Sequence, residues 1–318
     1  MNKKVGLTEA SIIVSLAIIL VLVSAYVPAL GILGLFISIP YAIIGTLGNK
    51  KYSVLSIIAT FFILMITTNP VYAVNICLMS AVPGMIMGHI VKKCIEQDET
   101  NKFVPIYGGI IAFTTSILIF LLVSKVILGT DLVADFIKIL KESILSQFET
   151  MKEMNPEMLK GITTDDIVNL IRGMIPAMLL LQGTFLSFIT YYTEVFILRR
   201  LRSINIKAPK LKEFYLPGNA VAASFMLYLL IIGIGYMDID FNTNLVMLNL
   251  QLVFNTLFMV QGIAVCIFFA VVWMKNKPKG MLFFWAIILA MTGTMGVSFI
   301  GMLDSVVDFR RVRIYKSI

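Results

Sequence analysis

Polar side chains inside the apolar stretches are the residues of this chain best placed to do chemistry. Thr184, Ser187, Tyr191 and Glu194 follow one another at steps of three, four and three, so they share one face of a helix. Polar groups are costly in hydrocarbon and normally face a protein interior or a water-filled cavity. This face therefore predicts either a polar-lined pocket between helices or a set of hydrogen bonds from helix to helix.

A second group of polar residues indicates where such a pocket would lie. Asn75 is inside another apolar stretch, with Asn69 and Tyr72 in the turn before it, and Gln182 precedes Thr184. The same two interpretations apply to these residues, ligand binding or hydrogen bonding between helices.

Catalytic motifs are absent from the sequence, so we expect no enzyme. There is no GxSxG nucleophile elbow, no HExxH motif, no pair of carboxylates within one apolar stretch and no P-loop. His89 is the only histidine, and Cys77, Cys94 and Cys266 are isolated, so we expect no metal and no cofactor. Any energised transport would need an ATPase on another chain.

Apolar stretches long enough to cross a membrane must position these residues. With 59% hydrophobic residues, 14% charged residues and a mean hydropathy of +0.94, the chain has too little polar surface for a soluble protein of 318 residues. A helix needs about 20 apolar residues to cross roughly 30 Å of hydrocarbon. We predict an all-α polytopic bundle of eight to nine spans, near residues 8–27, 30–48, 53–68, 72–91, 104–128, 173–198, 217–236, 245–273 and 281–303. The stretch 53–68 is short enough to be re-entrant.

Basic residues between the spans predict the orientation of the chain. Alternate connections are basic, at Lys3/Lys4, Lys50/Lys51, Lys92/Lys93, the run 199–212 and Lys275/Lys277/Lys279, and the others are uncharged or acidic. Since Lys and Arg are retained on the cytoplasmic side, this pattern predicts a multi-pass membrane protein with a cytoplasmic N-terminus. We assign the net charge of +8 to topology and anionic lipid rather than to nucleic acid, because no basic stripe with interleaved aromatic residues occurs.

The C-terminal tail is an exception to this pattern. Nine crossings would place the basic run 310–313 outside the cell, against the positive-inside rule. Either Gly293, Gly296 and Gly301 break the last span into a re-entrant pair, or 53–68 does not cross. We expect a cytoplasmic tail, because a run of arginines is hard to translocate.

Residues 129–172 form the longest interruption between spans and lie outside the cell in this orientation. They carry eight acidic and five basic residues. Apolar residues recur at helical spacing from Val133 to Met151, and Thr163 with Asp166 three residues later is typical of a helix start. We predict an extracytoplasmic amphipathic helix at the membrane surface, followed by a turn into the sixth span. The alternative is a solvated helix that only connects two spans.

Small residues at helical spacing predict close contacts between helices. Ser80, Gly84 and Gly88 repeat every four residues, which lets two helix backbones approach each other. Ser11 and Ser15 make a similar small face on the first span. That face serves either internal packing or the docking of a partner helix.

Charged residues near the span ends predict a surface for a protein partner. Arg199 and Arg200 end the sixth span on the cytoplasmic side. In the tail, Asp304, Asp308 and Arg311 are four and three residues apart, so we predict that they share a helical face. That element is either an interfacial salt-bridge cluster or a docking patch.

Several motifs resemble those of known membrane families. Four of them resemble the substrate-binding S-components of energy-coupling-factor transporters over roughly residues 5–198: Leu7–Ala10, the Pro28 turn, Pro40–Gly45 and Pro83–Gly88. The whole chain is similar to the YybS-type bacterial membrane proteins of unknown function, on the link from Leu198–Leu201 to Leu216–Pro217, on Gln261–Gly262 and on Asp304 with Asp308–Arg310.

The resemblance implies a location in the bacterial plasma membrane, an organisation and a site. It implies an S-component-like six-span domain at 1–198, containing the 129–172 insert, and a membrane extension of two to three spans with a basic tail at 199–318. It also implies an early helix that docks on a transmembrane partner and an outer pocket beneath the insert. That pocket would be lined by Asn69, Tyr72, Asn75, Gln182 and Thr184.

These observations lead to two hypotheses of function. The first is a non-enzymatic membrane protein that binds a small molecule from the extracytoplasmic side and supports its uptake with a separate energising complex. The second is a membrane scaffold or regulator that binds membrane or cytoplasmic proteins through its basic cytoplasmic loops.

Overall fold

The protein is helical in all of its described regular elements. The computed structural model describes residues 6–97, 101–154, 163–201, 209–216, 219–236, 242–273 and 293–312, and these contain helices and turns only. The chain divides into two compact units, Met1–Ala208 and Pro209–Ile318. The assignment of the first 198 residues to an S-component-like domain stays a prediction.

The first unit contains eight α-helices in its described part. They are α1 Leu7–Tyr26, α2 Ser38–Leu47, α3 Lys50–Thr67, α4 Pro70–Ile76, α5 Val82–Glu96, α6 Val104–Val126, α7 Leu132–Met154 and α8 Thr164–Arg200. A 3₁₀ segment, Pro28–Phe36, precedes α2, and a π segment, Cys77–Ala81, joins α4 to α5. Pro83 has no N–H to continue the α-helical ladder, which accounts for the wider backbone turn just before it.

Apolar side chains from α1 to α4 form the larger core of the first unit. The cluster includes Val14, Tyr41, Ile44, Leu64 and Ile76, which are all buried. Because lipid tails are as apolar as these side chains, close van der Waals packing rather than exclusion of water holds the helices together. A hydroxyl inside this packing is satisfied locally, since the Tyr41 and Thr60 hydroxyls are 2.8 Å apart.

Helices α2 and α5 approach each other most closely through glycines. A Cβ on Gly84 would overlap the carbonyl oxygen of Ser38, and a Cβ on Gly88 would overlap that of Ala42. Both glycines are buried, and the two helix backbones meet there with no side chain between them.

The serines of the same predicted pattern lie elsewhere. Ser80 is half-buried in the π segment. Ser11 and Ser15 are exposed on α1, where each hydroxyl donates to a carbonyl one turn earlier in its own helix. The small face of α1 is therefore outside the core of the first unit, and its docking role stays a prediction.

The long insert folds as α7 and the first turns of α8. The Thr163 hydroxyl accepts the Asp166 N–H, and the Asp166 carboxylate accepts the Thr163 N–H. This capping box confirms the helix start predicted from the spacing. The helix that it begins runs for 37 residues, through Pro176 and the whole predicted sixth span. Residues 155–162, where the turn after α7 is expected, lie outside the described residues.

The second unit contains three α-helices within its described residues. They are α9 Ala220–Gly235, α10 Thr243–Trp273 and α11 Gly293–Val307, with a 3₁₀ turn at Leu211–Glu213.

Helices α10 and α11 pack together through glycines. A Cβ on Gly262 would overlap the Val297 carbonyl, and a Cβ on Gly301 would overlap the Phe258 carbonyl. Because α11 runs unbroken through Gly296 and Gly301, these glycines do not break the last span, as one interpretation of the tail proposed. Residues 281–292 of the predicted ninth span lie outside the described residues.

The helices are those of a multi-pass membrane protein. Among the described residues, seven helical segments are long and apolar enough to cross a membrane: 7–26, 28–47, 50–67, 70–96, 104–126, 164–200 and 243–272. The segments 220–235 and 296–307 are apolar but shorter. The predicted all-α membrane fold is confirmed, and the stretch predicted at 53–68 belongs to a helix of 18 residues.

Candidate functional site

A groove where the end of α6 meets α7 and α8 is the candidate ligand site. Its volume is about 680 Å³, within the range of about 300–1,000 Å³ that small-molecule sites occupy. Its lining is mostly apolar and contains three charged residues. The lining residues are Leu121, Leu122, Lys125, Val126, Asp131, Leu132, Val133, Ala134, Ile137 and Arg172.

The charges of this groove are unevenly paired. Lys125 Nζ lies 2.9 Å from Asp131 Oδ2, and the Ala134 N–H donates to Asp131 Oδ1 at 3.0 Å. The Lys125 ammonium and this amide hold the pKa of the Asp131 carboxyl below its ordinary value, so Asp131 is ionised at neutral pH. The exposed side chain of Arg172 has no hydrogen bond or ion pair to another described residue. Among the described residues, Arg172 is therefore the charged group of the groove that has no partner.

Among the described residues, helix α7 meets the start of α8 through an ion pair and carries one buried apolar side chain. Lys141 Nζ lies 2.7 Å from Asp165 Oδ1, and Ile137 is buried. Both ionic side chains are substantially exposed, so the pair contributes little stability, and the apolar contact matters more. Helix α7 thus forms one wall of the groove without a large packed interface beneath it.

The five residues predicted to bind a ligand do not line this groove. The Asn69 side chain accepts the Tyr72 N–H at 2.8 Å and caps α4. Tyr72 and Asn75 are half-buried, and Gln182 is exposed. Thr184 is buried and donates to a carbonyl one turn earlier in its own helix. Their part in ligand binding stays a prediction.

The polar face of α8 makes hydrogen bonds to its neighbours. Ser187 donates to the Ile106 carbonyl of α6 at 2.7 Å, and the hydroxyls of Thr190 and Ser38 of α2 are 2.7 Å apart. Of the two interpretations of this face, hydrogen bonding between helices describes these residues. In membranes such a contact is worth about 0.6 kcal/mol on average.

Glu194 completes the same face and is the most deeply buried acid of the first unit's described residues. One carboxyl oxygen is hydrogen-bonded to the Thr46 hydroxyl of α2, which is also 2.9 Å from the Gly88 carbonyl of α5. The other carboxyl oxygen has no hydrogen-bond partner among the described residues. Glu194 therefore connects three helices without a cation beside it in the described part of the chain.

The tail element is built differently from the prediction. Helix α11 ends at Val307, and Asp308 and Arg311 have φ values of 51° and 50°. These left-handed positions turn the chain back, so the predicted helical face shared by Asp304, Asp308 and Arg311 is wrong. The physical reason is that the positive φ at Asp308 ends the helical periodicity before Arg311 is reached.

A buried ion pair takes the place of that face. Arg310 Nη2 lies 2.8 Å from Asp304 Oδ2, and both side chains are buried. Arg310 also donates to the carbonyls of Lys212 and Phe214, each at 2.7 Å, and Gln261 of α10 donates to Asp304 at 2.9 Å. Asp304 is therefore a structural residue rather than part of a surface patch.

Arg199 and Arg200 are exposed, and their role toward a partner stays a prediction.

Comparison with known proteins places the chain among membrane proteins. Residues 15–305 match the family described as "Predicted membrane protein (DUF2232)". The chain belongs to this family. It is also 22% identical over 293 residues to the uncharacterized protein YybS of Bacillus subtilis (strain 168), a match covering 88% of each chain. No solved structure matches. The YybS-type resemblance is thus confirmed, and the family description names membrane residence without a catalytic activity.

Sequence reasoning missed several residues that matter in this DUF2232 protein. Thr46, Arg172 and Arg310 were not singled out, although each is a polar residue at or near the end of a predicted span. For Arg172 a signal existed, since it is the basic residue nearest to the start of the sixth span. For Arg310 no local signal distinguishes it from the neighbouring Arg311.

Proposed function

We propose that this multi-pass membrane protein binds a small, largely apolar molecule with one anionic group in the groove between α6, α7 and α8. The site works by binding and has no catalytic role. The observation that carries the proposal is the exposed Arg172 side chain, which lines an apolar groove with no partner among the described residues. A guanidinium recognises carboxylate or phosphate through two parallel hydrogen bonds, while the apolar walls accommodate the rest of the ligand.

The charge distribution supports access from the extracytoplasmic side. Lys50, Lys92 and Arg199 lie at the other ends of the helices in the first unit, away from the α6–α7 connection. By the positive-inside rule that basic end is cytoplasmic, which leaves the groove at the outer end. The amphipathic α7 would then cover the site at the outer surface of the membrane.

Uptake of the bound molecule is part of the same proposal. The sequence has no nucleotide-binding motif, so an energising complex on separate chains would supply the work. The resemblance of the first six spans to S-components supports such a division of labour.

Thermal unfolding of the purified full-length protein tests the proposal. Octanoate serves as the probe and octan-1-ol as its uncharged counterpart, alongside a panel of small carboxylates and phosphates. A molecule that binds only the folded state raises Tm with concentration. We expect octanoate to raise Tm more than octanol, Arg172→Gln to remove the difference, and Lys138→Gln, an exposed cation on α7 outside the groove, to retain it. No stabilisation by any anionic compound, or equal stabilisation of Arg172→Gln, would contradict it.

A scaffold function is the second candidate, and the exposure of Arg199 and Arg200 at the end of α8 favours it. Reversal of both charges to Glu tests it by co-purification from cell membranes. If every co-purifying protein is retained by the variant, this surface does not recruit them.

A further inference from the structure

The N-terminus of α3 is unusually positive for the start of a helix. Lys50 and Lys51 are its first two residues, no acidic residue lies in its first turn, and Asn49 makes no side-chain cap. The free N–H groups and the helix dipole already favour an anion at this end, and lysines there oppose helix stability unless an anion is bound. The sequence thus places two cations where acids are preferred.

A groove between α3 and α5 begins at this point. Its volume is about 860 Å³, and it follows α3 from Asn49 to Ile57, roughly 12 Å along the axis at 1.5 Å per residue. Lys50 and Lys93 line the groove at the end of the bundle. Val54 and Ile57 line it further along α3. Its polarity therefore changes along the helix axes, from cationic to apolar.

Ser53 supplies an independent sign of a ligand. It lines the groove one turn after Asn49, and it is 2% exposed. Its hydroxyl has no hydrogen-bond partner among the described residues. Buried hydroxyls are normally paired, since an unpaired one destabilises the fold. A ligand oxygen in the groove would satisfy it.

We propose that this groove binds one anionic phospholipid of the surrounding leaflet. The headgroup phosphate lies at the α3 N-terminus, where Lys50, Lys93 and the Ser53 hydroxyl contact it. An acyl chain follows the apolar part of the groove past Val54 and Ile86, which are both exposed on the bundle surface. The site is at the opposite end of the first unit from the α6–α7–α8 groove, so it is independent of the function proposed above.

The direction of the polarity gradient selects a lipid over a protein partner. An amphipathic helix at the interface lies in the membrane plane and is polar on one side along its whole length. A phospholipid is charged at one end and apolar along the membrane normal, as this groove is along its helices. An acidic peptide would satisfy the lysines and leave the apolar part of the groove unfilled.

Among the described residues, the other polar groups of the groove make no hydrogen bond or ion pair with Lys50 or Lys93. Lys92 Nζ donates to the Gly48 carbonyl at 3.0 Å, so it already completes the end of α2. His89 Nδ1 lies 3.0 Å from the Met85 carbonyl, which leaves Nε2 for a ligand. Glu96 is the one acidic residue of the lining, and it is exposed near the end of α5, beyond Lys93.

Lipid binding to the purified full chain tests this site. Native mass spectrometry would count phosphatidylglycerol and phosphatidylcholine adducts on the wild type, and nanodiscs of phosphatidylcholine with or without phosphatidylglycerol would give relative affinities. We expect a phosphatidylglycerol adduct, and a loss of roughly tenfold or more in its affinity for Lys50→Gln/Lys93→Gln. The matched control, Lys102→Gln/Arg200→Gln, removes two exposed cations from the same end outside the groove and leaves the affinity unchanged.

Two further measurements separate the lipid from other anions. Val54→Trp fills the apolar part of the groove from an exposed position, and it is expected to abolish the adduct with Tm unchanged. Inorganic phosphate is expected not to displace the lipid. The proposal would be overturned if the two lipids bound equally, or if both double variants lost the same affinity. It would also be overturned if Val54→Trp kept the adduct, if phosphate displaced the lipid fully, or if an acidic polypeptide bound in place of lipid.

Discussion

At the scale of single residues, the buried acid Glu194 gives the sharpest prediction for the first unit. Glu194→Lys would place a cation beside the Thr46 hydroxyl, itself bonded to the Gly88 carbonyl, where no acidic partner lies among the described residues. An unpaired buried charge costs about 3–5 kcal/mol, so we expect a large fall in Tm in detergent. Glu96→Lys makes the same charge change at an exposed position and serves as the control. Equal Tm values for both variants would show that Glu194 is not buried.

Arg310 and Arg311 form a matched pair in the second unit. Arg310→Met removes the buried partner of Asp304 and four hydrogen bonds, and it should cost about 3–5 kcal/mol of folding free energy. Arg311→Met makes the same chemical change on an exposed side chain and should change stability little. The positive φ at position 311 is the same for arginine and for methionine, so it adds no difference. Thermal unfolding of the two variants distinguishes them. A larger loss from Arg311→Met would contradict the buried network.

The sequence predicts these residues only in part. The helical spacing from Thr184 to Glu194 predicts their shared face, because periodicity is local. It does not predict Thr46 as the partner of Glu194, since the two are 148 residues apart and only the tertiary fold brings them together. For the tail, the same reasoning chose Arg311 over Arg310, because the left-handed turn at Asp308 leaves no mark in the pattern.

At the scale of the elements, the contact between α2 and α5 depends on glycine. Gly88→Ala would push a Cβ into the Ala42 carbonyl, so we expect a loss of about 1–3 kcal/mol. Gly233→Ala, in the last turn of α9 with open space around it, should not lower stability, because alanine is the better helix former. The midpoints of thermal or denaturant unfolding report both changes. If Gly88→Ala were as stable as Gly233→Ala, the close approach would be absent.

Element boundaries follow from the sequence where their signals are local. The capping box at Thr163 and the proline at Pro70 each begin a helix as their chemistry predicts. The groove between α6, α7 and α8 could not be predicted from the sequence, because it depends on how the amphipathic α7 packs against the other two helices. For the same reason the glycines of α11 were open to a second interpretation, since a packing glycine and a helix-breaking glycine are identical in sequence.

At the scale of the whole molecule, alternating loop charge predicts the class of protein and distinguishes the two ends of the first unit. The connections whose charged residues are basic predict which end of the first unit is cytoplasmic. In the structure, Lys50 and Lys93 line a groove at that end. The mixed charges of the 129–172 insert predict a segment outside the cell. In the structure, this segment lines a groove that contains Arg172. Charge patterning thus predicts where ligands are expected, whereas the residues that contact them depend on the fold.

Cysteine accessibility in intact cells tests the central claim, a ligand groove open to the outside beneath α7. The three native cysteines are replaced by alanine, and Ala134→Cys in the groove is compared with Ser143→Cys on the exposed side of α7. We expect a membrane-impermeant maleimide to label both positions from outside, and octanoate to slow the labelling at position 134 alone. Labelling of position 134 only after permeabilisation, or at a rate that octanoate leaves unchanged, would contradict the account.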